Sequence, residues 1–351
     1  MKAYVLEGIN QLKYKEIKMP ELHEGEVLVE VKAAGICGSD IPRIFETGTY
    51  HFPTIPGHEF SGQVVSAYDG EQNPWIGKRV GIFPLIPCME CFTCQKGEYE
   101  MCRNYNYLGS RCDGGFAEYV AVPEWNLIEL PDKVSYEEAA MLEPAAVALH
   151  AVRRLDLQDV HTVALLGLGT IGILIAQWLH IFGVKQVYAT GHKMGHGLLM
   201  KQCASDSYEY CDASQTDVKQ WLMEVTQNQG TDVVIDCVSS SESVDICLRC
   251  VKPGGQVLVV GNPKADISME KDAFWKVLRH QIRLTGTWNS TFNHEEDDDW
   301  HMVLDACGKG DLKLKELITH KLPFEKLEDG LSIMRDGKEY RNKVMIVNNC
   351  V

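Results

Sequence analysis

The stretch TVALLGLGTIGILIAQWLHIFG, Thr162 to Gly183, leaves a chain few ways to fold. Its opening apolar run reads as a buried strand, glycines interrupt it, and an apolar helical stretch follows and stops at Gly183. The glycines fall at Gly167, Gly169 and Gly172, spaced G-x-G-x-x-G, with Thr170 and Ile171 completing the turn. In a strand–turn–helix context each glycine has a task. Gly167 permits the tight turn, Gly169 lets the backbone approach a pyrophosphate, and Gly172 lets helix and strand pack closely. Five further strand-like runs follow: KQVYATG, SDSYEYCD, TDVVIDCV, GGQVLVVG and IRLTGTW, separated by helical stretches. Strands alternating with helices imply a doubly wound parallel sheet that binds a dinucleotide, over residues 147–288.

The end of the second strand bears on which dinucleotide. Chains that prefer NAD usually carry Asp or Glu there, about 20 residues past the glycine turn, to bind the ribose 2′-hydroxyl. Here the segment is QVYATGHKMGHG, with Gly191 at the expected acidic position, then His192 and Lys193. Glycine does not repel a 2′-phosphate, Lys193 can pair with one, and His192 can donate to it. NADP(H) is therefore expected over NAD(H). The plainer alternative is that Gly191 only makes a turn and the two basic residues face solvent.

Four of the 13 cysteines crowd into PCMECFTCQKGEYEMC, as Cys88, Cys91, Cys94 and Cys102. Short C-x2-C steps let one loop wrap a Zn²⁺ ion, and four ligands leave no open position, so such a site is structural. An iron–sulfur cluster also takes four cysteines, but the bacterial run places Pro after its last one, and here Arg103 follows Cys102. Chance clustering of free thiols is the remaining reading.

Upstream, AGICGSD carries Cys37 after the strand-like EVLVEVKAAG, and IPGHEFSG carries His58 and Glu59 after a Pro-Gly turn. Farther on, MLEPAAVALH places Glu143 before Pro144, at a helix start. One Cys, one His and one carboxylate from separate segments suit a catalytic zinc, which keeps a position free for water or substrate. Singly, each has an ordinary reading: a core thiol, a surface His-Glu pair, an acid at a helix N-terminus.

Composition excludes other classes. With net charge −15 and pI about 5.3, the chain lacks the basic surface that nucleic acid requires. The acidic run HEEDDDW, His294 to Trp300, is expected to be a solvated loop or a helix start. The opening MKAYVLEGIN has no apolar signal-peptide core, and no apolar run reaches the roughly 18 residues of a membrane span. A cytoplasmic chain with no membrane partner is expected, and in a reducing compartment clustered cysteines point to metal rather than disulfides.

Taken together and in this order, the open Cys/His/Glu set, the four-cysteine loop and the glycine turn resemble the zinc-containing medium-chain alcohol dehydrogenase family, over essentially the whole chain. Within it, the ICGSD, GHE and EP motifs are similar to those of the polyol and polyol-phosphate dehydrogenases. The resemblance implies an α/β plus β fold. Its GroES-like catalytic domain covers residues 1–146 and is completed by 289–351, with a Rossmann doubly wound parallel sheet inserted and the active site in the cleft. It implies two zinc ions per chain, the catalytic one on Cys37, His58 and Glu143. Glu59 matches a residue that in some relatives binds the metal in place of the later Glu, and Ser39 matches the hydroxyl that passes the substrate proton onward. Many relatives finish that relay with a His five residues after the zinc Cys; here Pro42 stands there and carries no proton. The implied substrate is a small polyol or polyol phosphate of the galactitol 1-phosphate kind, and the implied assembly a homodimer or homotetramer. A phosphate would need a local cationic clamp in so acidic a chain, and Arg43 and Arg111 are the candidates, unless both are ion-pair partners. Open alternatives are a sorbitol-, butanediol- or threonine-type zinc dehydrogenase, and a non-catalytic zinc-stabilised dinucleotide sensor, which would not need the Cys37/His58/Glu143 set.

Overall fold

The structure, a computed structural model, describes residues 1–348. The last residues of the expected catalytic portion, 349–351, lie outside the described residues. Internal contacts group the chain into two units. One comprises Met1–Glu143, Thr291–Gly310 and the chain from Leu314 on; the other comprises Pro144–Ser290 and Asp311–Lys313.

The second unit is built on six strands in the spatial order Glu209–Asp212, Gln186–Gly191, Thr162–Leu166, Thr231–Asp236, Val251–Val259 and Arg283–Gly286. Every neighbouring pair is parallel. Numbered by sequence this is 3-2-1-4-5-6, the doubly wound order whose direction reverses beside the first strand. Crossover helices cover both faces of such a sheet, so its strands read as continuous apolar runs rather than alternating ones. Accordingly Val163–Leu166 and Val233–Asp236 are buried throughout. Of the run SDSYEYCD only Glu209–Asp212 pairs; the buried Tyr208 ahead of it donates its hydroxyl to the Val184 carbonyl at 2.9 Å. The helix after the glycine turn spans Thr170–Ile181, and Gly183, at φ +84°, follows its end.

The first unit centres on a sheet ordered Ile318–Pro323, Lys343–Val347, Glu26–Ile36, Glu59–Ala67, Arg79–Ile82 and Leu127–Glu129, with Tyr119–Pro123 also pairing to Glu26–Ile36. Its long strand alternates, with Val27, Val29 and Val31 turned into the core, until Ala33–Ile36, which are all buried. Two registers fix the site. Gly35 pairs with Glu59, and Ile36 pairs with Val344, so three strand ends meet just before Cys37. In the acidic run, residues 294–297 are exposed but Asp298 and Asp299 are buried. Asp298 caps the helix Asp299–Lys309, accepting from the His301 N–H at 2.8 Å, and Asp299 accepts from the Thr291 N–H at 2.7 Å. Orphan N–H groups at a helix start stabilise a buried carboxylate there. Among the described residues no helix is long and apolar enough to cross a membrane.

Candidate active site

The strand Glu26–Ile36 delivers Cys37 directly after its last residue, and the strand beginning at Glu59 carries His58 one residue ahead of it. Cys37, His58 and Glu59 each bring a potential ligand atom within 4.8 Å of the others. A thiol, an imidazole and a carboxylate converging in this way fit a zinc ion. Fully buried Asp40 braces two of the three. Its Oδ2 accepts from the Cys37 N–H at 2.9 Å, and its Oδ1 lies 3.3 Å from His58 Nδ1, at ion-pair distance though not in hydrogen-bond geometry. Arg43 Nη1 donates to the same Oδ1 at 3.1 Å. The Ser39 hydroxyl donates to Cys37 Sγ at 3.3 Å, and Pro42 closes the helical turn Asp40–Pro42.

Glu143 lies in the first turn of the helix Leu142–Arg153 and is buried, but stands outside that close group of three. Its Oε1 accepts from the Tyr107 hydroxyl at 3.3 Å. Burial, opposed by the nearby His58, pushes its carboxyl up to about 7. Two carboxylates therefore border one thiol and one imidazole, each with its own partner: Glu143 with Tyr107, Glu59 with the buried Lys343.

The loop carrying Tyr107 packs backbone against backbone on the Pro-Gly turn. A Cβ on Gly109 would fall 2.5 Å from the Gly57 carbonyl oxygen, and both glycines have φ between +80° and +100°. Only glycine lets the two segments approach so closely. The same loop presents half-buried Arg111, whose guanidinium lies 4.0 Å from the Tyr50 ring centre and 4.4 Å from that of Tyr105. Two aromatic rings at this distance attract the guanidinium and hold it in place.

The four-cysteine loop closes on itself. Cys91 and Cys94 sulfurs are 3.5 Å apart, and Cys88–Cys94 and Cys91–Cys102 are each 3.9 Å apart. Four thiolates around one zinc at the usual Zn–S length stand about 3.8 Å apart. A four-iron cluster puts each thiolate on a different iron and a two-iron cluster holds them as two separate pairs, whereas these contacts link all four sulfurs, which fits a single ion. The Thr93 hydroxyl and the N–H groups of Cys94 and Arg103 hold the Cys91 thiol down to about 5, an environment that favours the thiolate a metal needs.

In the second unit, Gly167 has φ +91°, a Cβ on Gly172 would fall on the Gly167 carbonyl oxygen, and Gly169 has open space around it. The turn thus leaves a cradle at the start of the helix Thr170–Ile181, and the N–H groups of a helix start attract phosphate. Gly191 ends its strand with φ outside the left-handed region, so it is not there to make a turn. What it provides is space, since a Cβ would lie 3.2 Å from the Tyr210 hydroxyl. That hydroxyl accepts from the Lys193 N–H at 3.0 Å, while the His192 side chain is exposed.

The family model "Alcohol dehydrogenase GroES-like domain" matches residues 23–132, and the family model "Zinc-binding dehydrogenase" matches residues 170–307. The chain is 32% identical over 327 residues to galactitol 1-phosphate 5-dehydrogenase of Escherichia coli K12, covering 93% of this chain and 94% of that one. This protein belongs to the zinc-containing medium-chain alcohol dehydrogenases. The solved structure of galactitol-1-phosphate dehydrogenase from E. coli superposes with TM-score 0.88 at 30% identity, over 99% of this chain and all of that one. A zinc-binding dehydrogenase of Sinorhizobium meliloti 1021 bound to NADP matches with TM-score 0.89 at 28% identity, over 99% and 98% of the two chains. An alcohol dehydrogenase of E. coli CFT073 complexed with NADH matches with TM-score 0.88 at 26% identity, over 99% of each.

This dehydrogenase is accordingly an oxidoreductase of the zinc-dependent polyol dehydrogenase family, a GroES-like domain joined to a Rossmann sheet. Four residues of its sites escaped the sequence: Asp40, Tyr107, Tyr210 and Lys343. Asp40 could have been found, because Asp40 and Arg43 stand three apart in CGSDIPR, the spacing of neighbours on one helical turn. Lys343 left a signal too, as a lone charge opening the apolar strand KVMIV.

Proposed function

We propose that this enzyme transfers hydride between a polyol phosphate of the galactitol 1-phosphate class and NADP(H), using one catalytic and one structural zinc. The observation that carries this reading is the convergence of Cys37, His58 and Glu59 at two adjoining strand ends, with buried Glu143 beside them. Cys37, His58 and Glu143 would hold the catalytic zinc, with Glu59 as the alternative carboxylate, and Cys88, Cys91, Cys94 and Cys102 the structural one. When bound, zinc supplies the Lewis acidity that makes an alcohol ionise near neutral pH, and the nicotinamide supplies the hydride acceptor. The protein's own part is to place groups around the carbinol. Ser39, already hydrogen-bonded to Cys37 Sγ, takes the hydroxyl proton. Pro42 cannot pass it on, so the proton leaves through water or a ribose hydroxyl. Glu143 and Tyr107 border the same space and hold each other in place.

Arg43 is committed to Asp40, which leaves Arg111 as the phosphate clamp. Charge-assisted hydrogen bonds of about 1.5–3 kcal/mol make its removal cost roughly ten- to hundredfold in kcat/KM. Arg111→Ala should lose that much with galactitol 1-phosphate and almost nothing with free galactitol. Equal use of the two substrates by the parent enzyme would contradict the clamp.

Gly167, Gly169, Thr170, Ile171 and Gly172 would hold the pyrophosphate, and Gly191, His192 and Lys193 the 2′-phosphate. No carboxylate stands at the end of the second strand, and the Tyr210 hydroxyl, a hydrogen-bond donor, lies against Gly191 instead. The enzyme should therefore show a kcat/KM for NADP⁺ roughly ten- to hundredfold above that for NAD⁺ with one substrate. Gly191→Asp should reverse the preference and weaken binding of both cofactors, because the new side chain crowds Tyr210. A parent enzyme that prefers NAD⁺ would overturn this.

A further inference from the structure

Lys343 opens the strand Lys343–Val347 and is 3% exposed. Its ammonium bonds Glu59 Oε2, and Glu59 is 1% exposed. The pair occupies a slot made for it. A Cβ on Gly35 would fall on Glu59 Oε2 and lie 3.5 Å from Lys343 Cδ. Gly35 is not at positive φ, so its missing side chain provides room rather than a backbone conformation.

Burying an ion pair is seldom a gain in stability, because desolvating both charges offsets their attraction. Charge balance gives this pair another role. A divalent ion with one thiolate and one carboxylate is neutral. Asp40 is matched by Arg43, and Glu59 by Lys343. Without Lys343, Glu59 is an uncompensated buried anion within 4.8 Å of the ligand atoms of Cys37 and His58, and the metal is the cation left to satisfy it.

We propose that Lys343 is a positioning residue that holds Glu59 off the catalytic metal, in the slot opened by Gly35, so that Glu143 serves as the carboxylate ligand and the substrate's place stays free. This rests on the metal reading given under Proposed function. It is tested by exchanging Co²⁺ into the Cys37 site and recording its visible absorption and dissociation constant, with kcat and KM for the zinc enzyme. In Lys343→Met, Glu59 should join the metal. The cobalt bands should shift and weaken as coordination number rises, and kcat/KM should fall about ten- to hundredfold. Glu59→Gln/Lys343→Met, which removes both charges of the pair, should restore the parent spectrum, because no anion is left to release. A Lys343→Met spectrum identical to the parent's, or one that the double variant does not restore, overturns the proposal. If Lys343→Met does not fold, a cobalt spectrum altered in Glu59→Gln/Lys343→Met overturns it equally, because that variant keeps the charge balance and lacks the carboxylate. A cobalt spectrum untouched by Cys37→Ser overturns the metal reading itself, which separates the two failures.

Discussion

Cys37→Ala should lower kcat/KM at least about a thousandfold and leave the chain folded. A metal acting as Lewis acid contributes several kcal/mol to the barrier, and about 1.4 kcal/mol is one decade of rate. The thiol stands at a strand end, half-exposed, with Ser39 as its side-chain hydrogen-bond partner, so little core packing is lost with it. Asp40 keeps its contacts with His58 and Arg43, and the strand Glu26–Ile36 keeps its registers. Steady-state rates with galactitol 1-phosphate, read beside thermal melting and far-UV circular dichroism, check both halves of the expectation. A variant as active as its parent would refute zinc chemistry at this site. A variant that loses its fold would instead make Cys37 a structural residue.

Cys94→Ser should do the reverse, with a large loss of stability and a small change in chemistry. Cys94 is 4% exposed and lies at the centre of the loop's sulfur contacts. Without its thiolate, three sulfurs remain crowded with an incomplete ligand set. Structural zinc contributes about 10–16 kcal/mol of apparent binding energy that doubles as folding energy. Losing even a fraction should lower the melting temperature by about 5 °C or more. Turnover per remaining zinc should stay within about threefold, because the loop's contacts are its own backbone and sulfurs rather than the Cys37 group. Unchanged melting and unchanged zinc content would count against a structural ion.

What the sequence made legible was local. The glycine turn is spelled in six consecutive residues and the cysteine loop in one short segment, and such chemistry survives reading in one dimension. Cys37 and His58 were legible because strand-like and turn-like patterns flank them. Partnerships made by sheet register were not. Lys343 and Glu59 are 284 positions apart and meet only because the last strand pairs beside the long central one. The crowding that a side chain at 191 would meet comes from Tyr210 on the neighbouring strand, which the sequence around Gly191 does not show. The acidic run is an exposed segment followed by a helix start, as expected, but its detail was not legible. Nothing in EEDDD says which two carboxylates the fold turns inward, one to cap a helix and one to accept from the Thr291 N–H. Arg43 and Arg111 look alike as cations in sequence; a carboxylate beside one and two tyrosine rings around the other tell them apart.

Zinc content per chain, measured by elemental analysis on the purified parent and on Cys37→Ala, tests the central claim most directly. Two zinc ions are expected in the parent, and one in Cys37→Ala together with the loss of turnover. One zinc in both proteins, with turnover undiminished, would contradict a catalytic metal held by Cys37 and His58.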